Sequence, residues 1–413
     1  MALQSTFRIA RRNLGRNRRR TLLAITAIAI GQIAFLGVSA LMHGYANQYF
    51  ESITGPFVGH IQIHQSQWRD ERSVDLTIRN TTEVLNIVRA HDGVRNASAR
   101  IYAPSLVAVE QDGFMGMVMG IDPQDESHDD GLLSGLPQTH QLGERKVIVG
   151  RIFAEKNGIK KGMELALVGQ DIDGSIANDL FTVTDVINSP VAMVNTMGIV
   201  MSLENARDYL RMDDDANEII IHLEDKEMAP EIAADLRSNP ILSNLEILGW
   251  RDLVPHLLTM IEFVDVYKFI VLFIVCIAAI AGIANTMMMS TFERIHEFGM
   301  LLSLGCNPGR LARLILIEAA LLAFIGLLIG SGISIGLVSL TSEEGIDYAR
   351  MGGNESSFEV EFQGLQMSSH VYPILTTADI IVGIVAILLT AILATIWPIL
   401  HVIHLEPVEV MRS

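Results

Sequence analysis

The apolar positions of this chain gather into four long runs, one near the N-terminus and three in the last third, separated by a long polar stretch. The runs are Leu22–Met42, Val264–Met289, Leu314–Leu340 and Ile380–Ile403. Each is long enough for an α-helix to cross a hydrocarbon layer of about 30 Å, which takes about 20 residues. The pattern predicts a membrane α-helical protein with four transmembrane helices in a 1 + 3 order and a large domain inserted after the first. The expected segments are a basic cytoplasmic stretch at 1–21, a helix at 22–44 and an extracytoplasmic domain at 45–262. A second helix follows at 263–290, a cytoplasmic loop at 291–312 and a third helix at 313–340. An extracytoplasmic loop at 341–377, a fourth helix at 378–403 and a cytoplasmic tail at 404–413 complete the chain.

Within the inserted stretch the period changes. Phe57–His64 alternates apolar and polar residues as a half-buried strand does, whereas Thr81–His91 places Val84, Leu85 and Val88 at helical spacing. Ala99–Glu110 and Phe114–Ile121 read as a hairpin across Gln111-Asp112-Gly113, so the domain opens β-α-β-β. Strand patterns at Lys146–Val149, Glu164–Val168, Leu180–Val186 and Gly198–Ser202 are interrupted by helices at Arg151–Asn157 and Leu203–Leu210. They suggest a β-rich insertion at about 127–201 within an α/β framework. The framework resumes with strand Glu218–Leu223, helix Pro230–Arg237 and strand Leu245–Gly249.

Charge orients this layout. The net charge is -17, and between Tyr45 and Phe263 acidic residues outnumber basic ones about two to one. Nucleic-acid binding needs basic surface to displace counterions and is excluded. Arg8, Arg11, Arg12, Arg16, Arg18, Arg19 and Arg20 precede the first run, so the positive-inside rule places the N-terminus in the cytoplasm and the acidic domain outside. The loop at Ser290–Arg313, with Arg294, Arg310 and Arg313, then falls inside, as does the C-terminus. The arginines, with Phe7, Ile9, Ala10 and Leu14, suggest an interfacial helix on anionic lipid. Cys276 and Cys306 are the only cysteines and neither lies in the inserted domain, which must rest on its own core.

Catalytic signatures are missing. The 413 residues contain no G-x-x-x-x-G-K-[ST], H-E-x-x-H or C-x-x-C. The chain is expected to be a non-enzyme with no bound cofactor or metal. His60 and His64, four apart on a strand, stand about 13 Å from each other and read as solvated. Glu318 near the start of the third run is either a buried functional carboxylate or an interfacial partner of an arginine. Gly326-x-x-x-Gly330 and Gly332-x-x-x-Gly336 allow close helix approach, and Pro398 should kink the fourth helix near its inner end.

The most distinctive segment is Glu293-Arg294-x-x-Glu297-x-Gly299-x-Leu301-x-Ser303-Leu304-Gly305. It resembles the signature after the second helix in ABC-transporter permeases of the FtsX/MacB/LolC-LolE superfamily. The N-terminal Arg11-Arg12-Asn13-Leu14-x-Arg16-Asn17-x-Arg19-Arg20-Thr21 and the C-terminal Leu405-x-Pro407-Val408-Glu409-x-Met411-Arg412 are similar to that family's two ends. Gly59-His60-Ile61 and Asp173-Gly174-Ser175 resemble its lipoprotein-releasing LolC/LolE branch.

The resemblance implies an extracytoplasmic α/β plus β-rich domain like the MacB periplasmic core, and a place in the bacterial inner membrane. It implies a separate ABC ATPase dimer, which would use ATP and Mg, docked on Glu293, Arg294, Glu297, Gly299, Leu301, Leu304 and Gly305. A second permease subunit, identical or paralogous, would pair with this one, and membrane lipid, a periplasmic carrier or a lipoprotein substrate would be further partners. Acyl chains would enter between the first two helices, past Ile33, Phe35, Leu36, Phe263, Phe269, Leu272 and Phe273. The function implied is release of a lipoprotein or other amphiphile from the outer membrane face. FtsX-like signalling to a cell-wall hydrolase and MacB-like export through an adaptor are the alternatives.

Overall fold

The computed structural model describes residues 8–404 except 11, 14, 16, 110–111, 127–130, 134–141, 190, 348–359, 363–364 and 368–369. The C-terminal motif at 405–412 and Arg11, Leu14 and Arg16 lie outside the described residues. Two compact units emerge, one of residues 1–46, 260–348 and 370–413, the other of 47–259 and 349–369.

Among the described residues, four helices have the length and apolarity to cross a membrane: α1 (Arg18–Ile53), α10 (Pro255–Glu293), α12 (Pro308–Glu344) and α13 (Thr377–Ile403). Their shared core holds Ile28, Phe35, Leu36, Ile283, Leu322, Leu327 and Ile387. Helix α12 lies against α1 through two glycines. A Cβ on Gly326 would fall 2.7 Å from Ile28 Cγ2, and one on Gly330 2.7 Å from the Ala29 carbonyl oxygen. Gly332 and Gly336 meet nothing within 4 Å. Gly330→Leu is therefore expected to force α1 and α12 apart and cost about 1–3 kcal/mol by overpacking. Gly336→Leu should leave the thermal unfolding midpoint in detergent nearly unchanged, and equal losses in both would refute the close-approach role. Gln32 is buried and donates from Nε2 to Ser331 Oγ at 3.2 Å, adding a polar tie between the same two helices. Pro398 sits inside α13, which continues to Ile403.

The second unit is built on one nine-stranded sheet. Its strands are β1 (Ile61–Gln65), β2 (Val94–Val109), β3 (Asp112–Ile121), β4 (Lys146–Gly150), β5 (Glu164–Gln170), β6 (Ile176–Ile187), β7 (Gly198–Ser202), β8 (Glu218–Leu223) and β9 (Leu245–Gly249). The order β9-β1-β8-β2 is antiparallel throughout. Helices α3 (Thr81–Arg89) and α8 (Ala229–Arg237) pack on this part, burying Val84, Val88, Ile232 and Leu236. From β2 the sheet continues β5-β6-β4-β7-β3, and β3 pairs back with β2, so six strands close into a barrel.

Here the observed division departs from the expected insertion at 127–201. Strands β2 and β3 already belong to the barrel, because the 16-residue β2 pairs with β8 through Ala97–Arg100 and with β5 through Ser105–Ala108. One strand thus serves both halves. At the other end, β9 is a sheet edge, and Arg237 donates from Nε and Nη2 to the Ile247 carbonyl at 3.0 and 2.6 Å, occupying an edge acceptor that would otherwise template further pairing.

A line of buried polar groups crosses the four-stranded half. His64 on β1 stands opposite Glu218 on β8, and Glu218 opposite Arg100 on β2. Arg100 forms a bidentate pair with Glu126, Nε to Oε1 at 2.6 Å and Nη2 to Oε2 at 2.7 Å, with both side chains about 1% exposed. The reading of His60 and His64 as solvated is corrected: both are buried, because β1 lies between two strands and both its faces are covered. His60 Nδ1 accepts from the Leu223 N–H at 3.0 Å, and His64 packs on the Trp68 ring. Burial drives the His60 pKa down to about 3, with His222, Arg95 and Lys226 adding to it.

Candidate functional site

The candidate site is the end of the helical unit where α10 stops and the chain turns back into α12. Helix α10 ends at Glu293 because Arg294 leaves helical geometry, with φ -113° and ψ 14°. A short helix, α11 (Ile295–Ser303), follows. Its C-terminus is a Schellman motif: Cys306 N–H donates to the Leu301 carbonyl at 2.9 Å, and Gly305 N–H to the Leu302 carbonyl at 3.0 Å. That closure requires a left-handed residue, and Gly305 supplies it at φ +83° without a Cβ penalty. Two residues on, Asn307 Oδ1 accepts from the Gly309 N–H at 2.8 Å, and Pro308 starts α12. The turn between α11 and α12 is thus specified at both ends.

Charge ties this elbow to its neighbours. Glu293 accepts from Arg20 of α1 at 2.5 Å and from Asn17 at 3.2 Å. Arg294 reaches Glu297 and Glu318, each at 3.4 Å, and its guanidinium lies over the Phe298 ring, 4.9 Å from the centroid. Glu318 is buried on α12 and pairs there with Arg294. On α11 the faces then divide. Phe298 and Gly299 turn inward, while Met300, Leu301 and Leu304 turn outward, Leu304 being 78% exposed. His401 of α13 lies between Phe292 and Trp397 at the same end, with ring centroids 5.1 and 5.8 Å away.

Of the seven residues expected at the coupling site, Glu293, Arg294 and Glu297 are drawn into ion pairs, Gly299 is buried, and Leu301, Leu304 and Gly305 form the exposed part. Sequence reasoning missed Asn17 and Arg20 as partners of Glu293, since a run of arginines before a span reads first as a lipid anchor. The only prior signal was the lone acid Glu293 at the matching depth on the next helix. The seven cavity residues differ in burial. Phe35 and Leu36 are buried in the helical core, Ile33 and Leu272 are half-buried, and Phe263, Phe269 and Phe273 are exposed along α10.

Comparison with known proteins agrees with this architecture. Residues 269–407 match the FtsX-like permease C-terminal family, and residues 21–239 match the MacB-like periplasmic core domain. The lipoprotein-releasing system transmembrane protein LolC of Neisseria meningitidis is 22% identical over 323 residues, 75% of each chain. The macrolide export ATP-binding/permease protein MacB 2 of Aeromonas hydrophila is 23% identical over 345 residues, which are 77% of this chain and 50% of that protein. A crystal structure of the periplasmic region of MacB from Actinobacillus actinomycetemcomitans aligns at 11% identity and TM-score 0.36, over 48% of this chain and 92% of that one. The core-domain match alone takes in more than half of the 413 residues, and the second match adds residues 269–407 with most of the three later helices. This chain belongs to the FtsX/MacB/LolC superfamily of ABC-transporter permeases.

Proposed function

We propose that this chain converts the movement of a docked ATPase dimer into work on a lipoprotein or other amphiphile at the outer face of the bacterial inner membrane. The observation that carries the reading is α11: a short helix with Phe298 buried and Met300, Leu301 and Leu304 exposed, entered through Glu293 and Arg294, which pair with Arg20 of α1 and Glu318 of α12. An apolar face of this kind, held rigidly and left uncovered, suits a protein partner. The ATPase would press on Leu301 and Leu304, and the Arg294–Glu318 pair would pass the displacement into α12. Glu293 then acts by holding α10 to α1 through Arg20 rather than by touching the ATPase.

The substrate class rests on the similarity to a protein named as part of a lipoprotein-releasing system. A second feature supports work on an apolar cargo or its carrier. Leu106, Met115 and Val168 stand opposite one another on adjacent strands and turn outward from the barrel, with Ile176 and Leu180 exposed on β6. ATP and Mg belong to the partner ATPase in this scheme, and a second permease subunit completes the membrane part. Orientation follows the arginine-rich N-terminus, with both termini in the cytoplasm.

The test is co-purification with the ATPase. Leu301→Glu with Leu304→Glu should abolish both the complex and its ATP hydrolysis, while the permease still inserts and folds. Glu293→Lys should leave ATPase binding in place but uncouple hydrolysis from release of a lipidated protein out of spheroplasts. Full ATPase association in the Leu301/Leu304 variant would remove the docking role. An intact complex that binds no lipidated protein would remove only the substrate.

A further inference from the structure

At the opposite end of the helical unit, where α1 and α10 lead toward the inserted domain in chain order, four ionisable side chains from three helices converge. Asp379 stands in the first turn of α13, 5% exposed. Thr376, the N-cap of that helix, accepts from the Asp379 N–H at 3.2 Å and donates its hydroxyl to Oδ2 at 2.6 Å. Lys268 of α10 lies 3.3 Å from Asp379 Oδ1 and 2.9 Å from Asp265 one turn earlier. His43 of α1 places Nε2 at 3.0 Å from both Asp379 Oδ2 and Lys268 Nζ.

Two features separate this cluster from an ordinary staple. The first is what surrounds it. In this part of α10 the side chains of Phe263, Val266, Tyr267, Phe269, Ile270 and Phe273 are exposed, Phe269 by 67%, and Val264 is the buried exception. The apolar contacts of α10 with the helical core begin at the half-buried Val271 and Leu272 and continue through Val275, Ala279, Ile283 and Met287. From Val271 onward α10 is packed, whereas before it the buried Val264 and the ion pairs of Lys268 tie it. The second feature is the shared nitrogen of His43. A single Nε2 cannot accept from the Lys268 ammonium and donate to the Asp379 carboxylate at the same time. The cluster has two hydrogen-bond settings, one joining α1 to α10 and the other joining α1 to α13. Ionisable residues within membrane helices pair with one another and mark functional positions, since apolar packing would hold the helices without the desolvation cost.

We propose that His43, Lys268, Asp265 and Asp379 form a latch that holds the part of α10 before Val271 against α1 and α13, and that the latch must part for the permease to work. Lys268 is its positioning residue. When it releases, α10 pivots about its packed part, and α1 and α10 separate at this end. The role in the transport cycle rests on the coupling reading above, but the mechanical claim does not.

The experiment uses the full-length chain in lipid nanodiscs, with Cys276 and Cys306 replaced by alanine and spin labels at Tyr45→Cys and Phe263→Cys. Both labelled positions are exposed and lie near the latch. Wild-type latch residues should give one narrow distance distribution. Lys268→Met should add a longer-distance population, raising the separated fraction about tenfold from the few per cent expected of a minor state. Lys268→Arg should restore the narrow distribution, and Lys268→Asp with Asp379→Lys should restore it in part. In the assembled complex, Lys268→Met should also raise basal ATP hydrolysis. An unchanged distribution in Lys268→Met, or an identical change in Lys268→Arg, would overturn the latch. A widened distribution with unaltered hydrolysis would overturn its part in coupling.

Discussion

Replacing Glu126 with alanine should cost the inserted domain about 3–5 kcal/mol, because it strands the Arg100 guanidinium in the interior without a counter-ion. The carboxylate is fully engaged. Besides the two bonds from Arg100, it accepts from Ser98 Oγ at 2.8 Å and from the Leu132 N–H at 2.7 Å. Burial opposes its ionisation, but Arg100 and these hydrogen bonds outweigh that and hold its pKa below the usual carboxylate range. Reading the stability contribution from the sign, a depressed folded pKa adds stability above the unfolded value, and this is lost as pH falls through the folded one. Denaturant unfolding of the full-length protein, followed by fluorescence of the buried Trp68 and Trp250, gives the measurement. The double replacement Arg100→Met with Glu126→Leu removes both charges and should cost much less than the single one. Equal costs would show that the stranded charge is not what the single variant suffers from.

Glu218→Gln should stabilise the domain by up to about 3 kcal/mol at pH 8 while changing it little at pH 4.5. Burial raises the Glu218 pKa to about 7; Arg100, Arg72 and the Tyr102 hydroxyl only partly offset it. A carboxyl raised from 4.5 to about 7 keeps its proton longer when folded, so its contribution is whole below pH 4.5 and falls away as pH rises to about 7. At 1.36 kcal/mol per unit this amounts to about 3 kcal/mol. His60 has the opposite slope. Its pKa is lowered by burial to about 3, so its contribution is present above pH 6.5 and is lost as pH falls toward 3. His64 and His222 are lowered as well, also chiefly by burial. Between pH 4.5 and 7 the loss from Glu218 therefore opposes the gain from the histidines, and Glu218→Gln should steepen the rise of stability over that range and lift the level above pH 7. A variant with the wild-type slope between pH 4.5 and 7 would show that Glu218 does not oppose that rise.

Much of the architecture could be read along the chain because it depends on local periodicity. Strand Gly198–Ser202 and helix Leu203–Leu210 fall where alternation gives way to 3.6-residue spacing. Strands Glu218–Leu223 and Leu245–Gly249 follow the same logic. Less visible was the strand that serves two layers. The pattern at Ala99–Glu110 predicts a strand, but nothing in it says that Val94–Arg100 and Tyr102–Val109 face different partners. The candidate coupling segment was legible as a motif and as an apolar helix broken by glycine. Its energetic division was not, since Arg20 and Glu293 are separated by 273 residues.

The sequence by itself determined the membrane helices, their 1 + 3 order, the acidic character of the inserted domain and the apolar helix between the second and third spans. These follow from composition over windows of about 20 residues, where transfer of apolar side chains and retention of arginines dominate. Tertiary structure alone decided which charges are partners and which are solvated. It buried His60 and His64, set Glu218 beside Arg100, joined Arg294 to Glu318 and brought Lys268 to Asp379. A buried charge is stable only next to a specific counterpart, and that counterpart is supplied by the packing of distant segments. The same type of residue can then be a surface group, a buried strut or part of a latch.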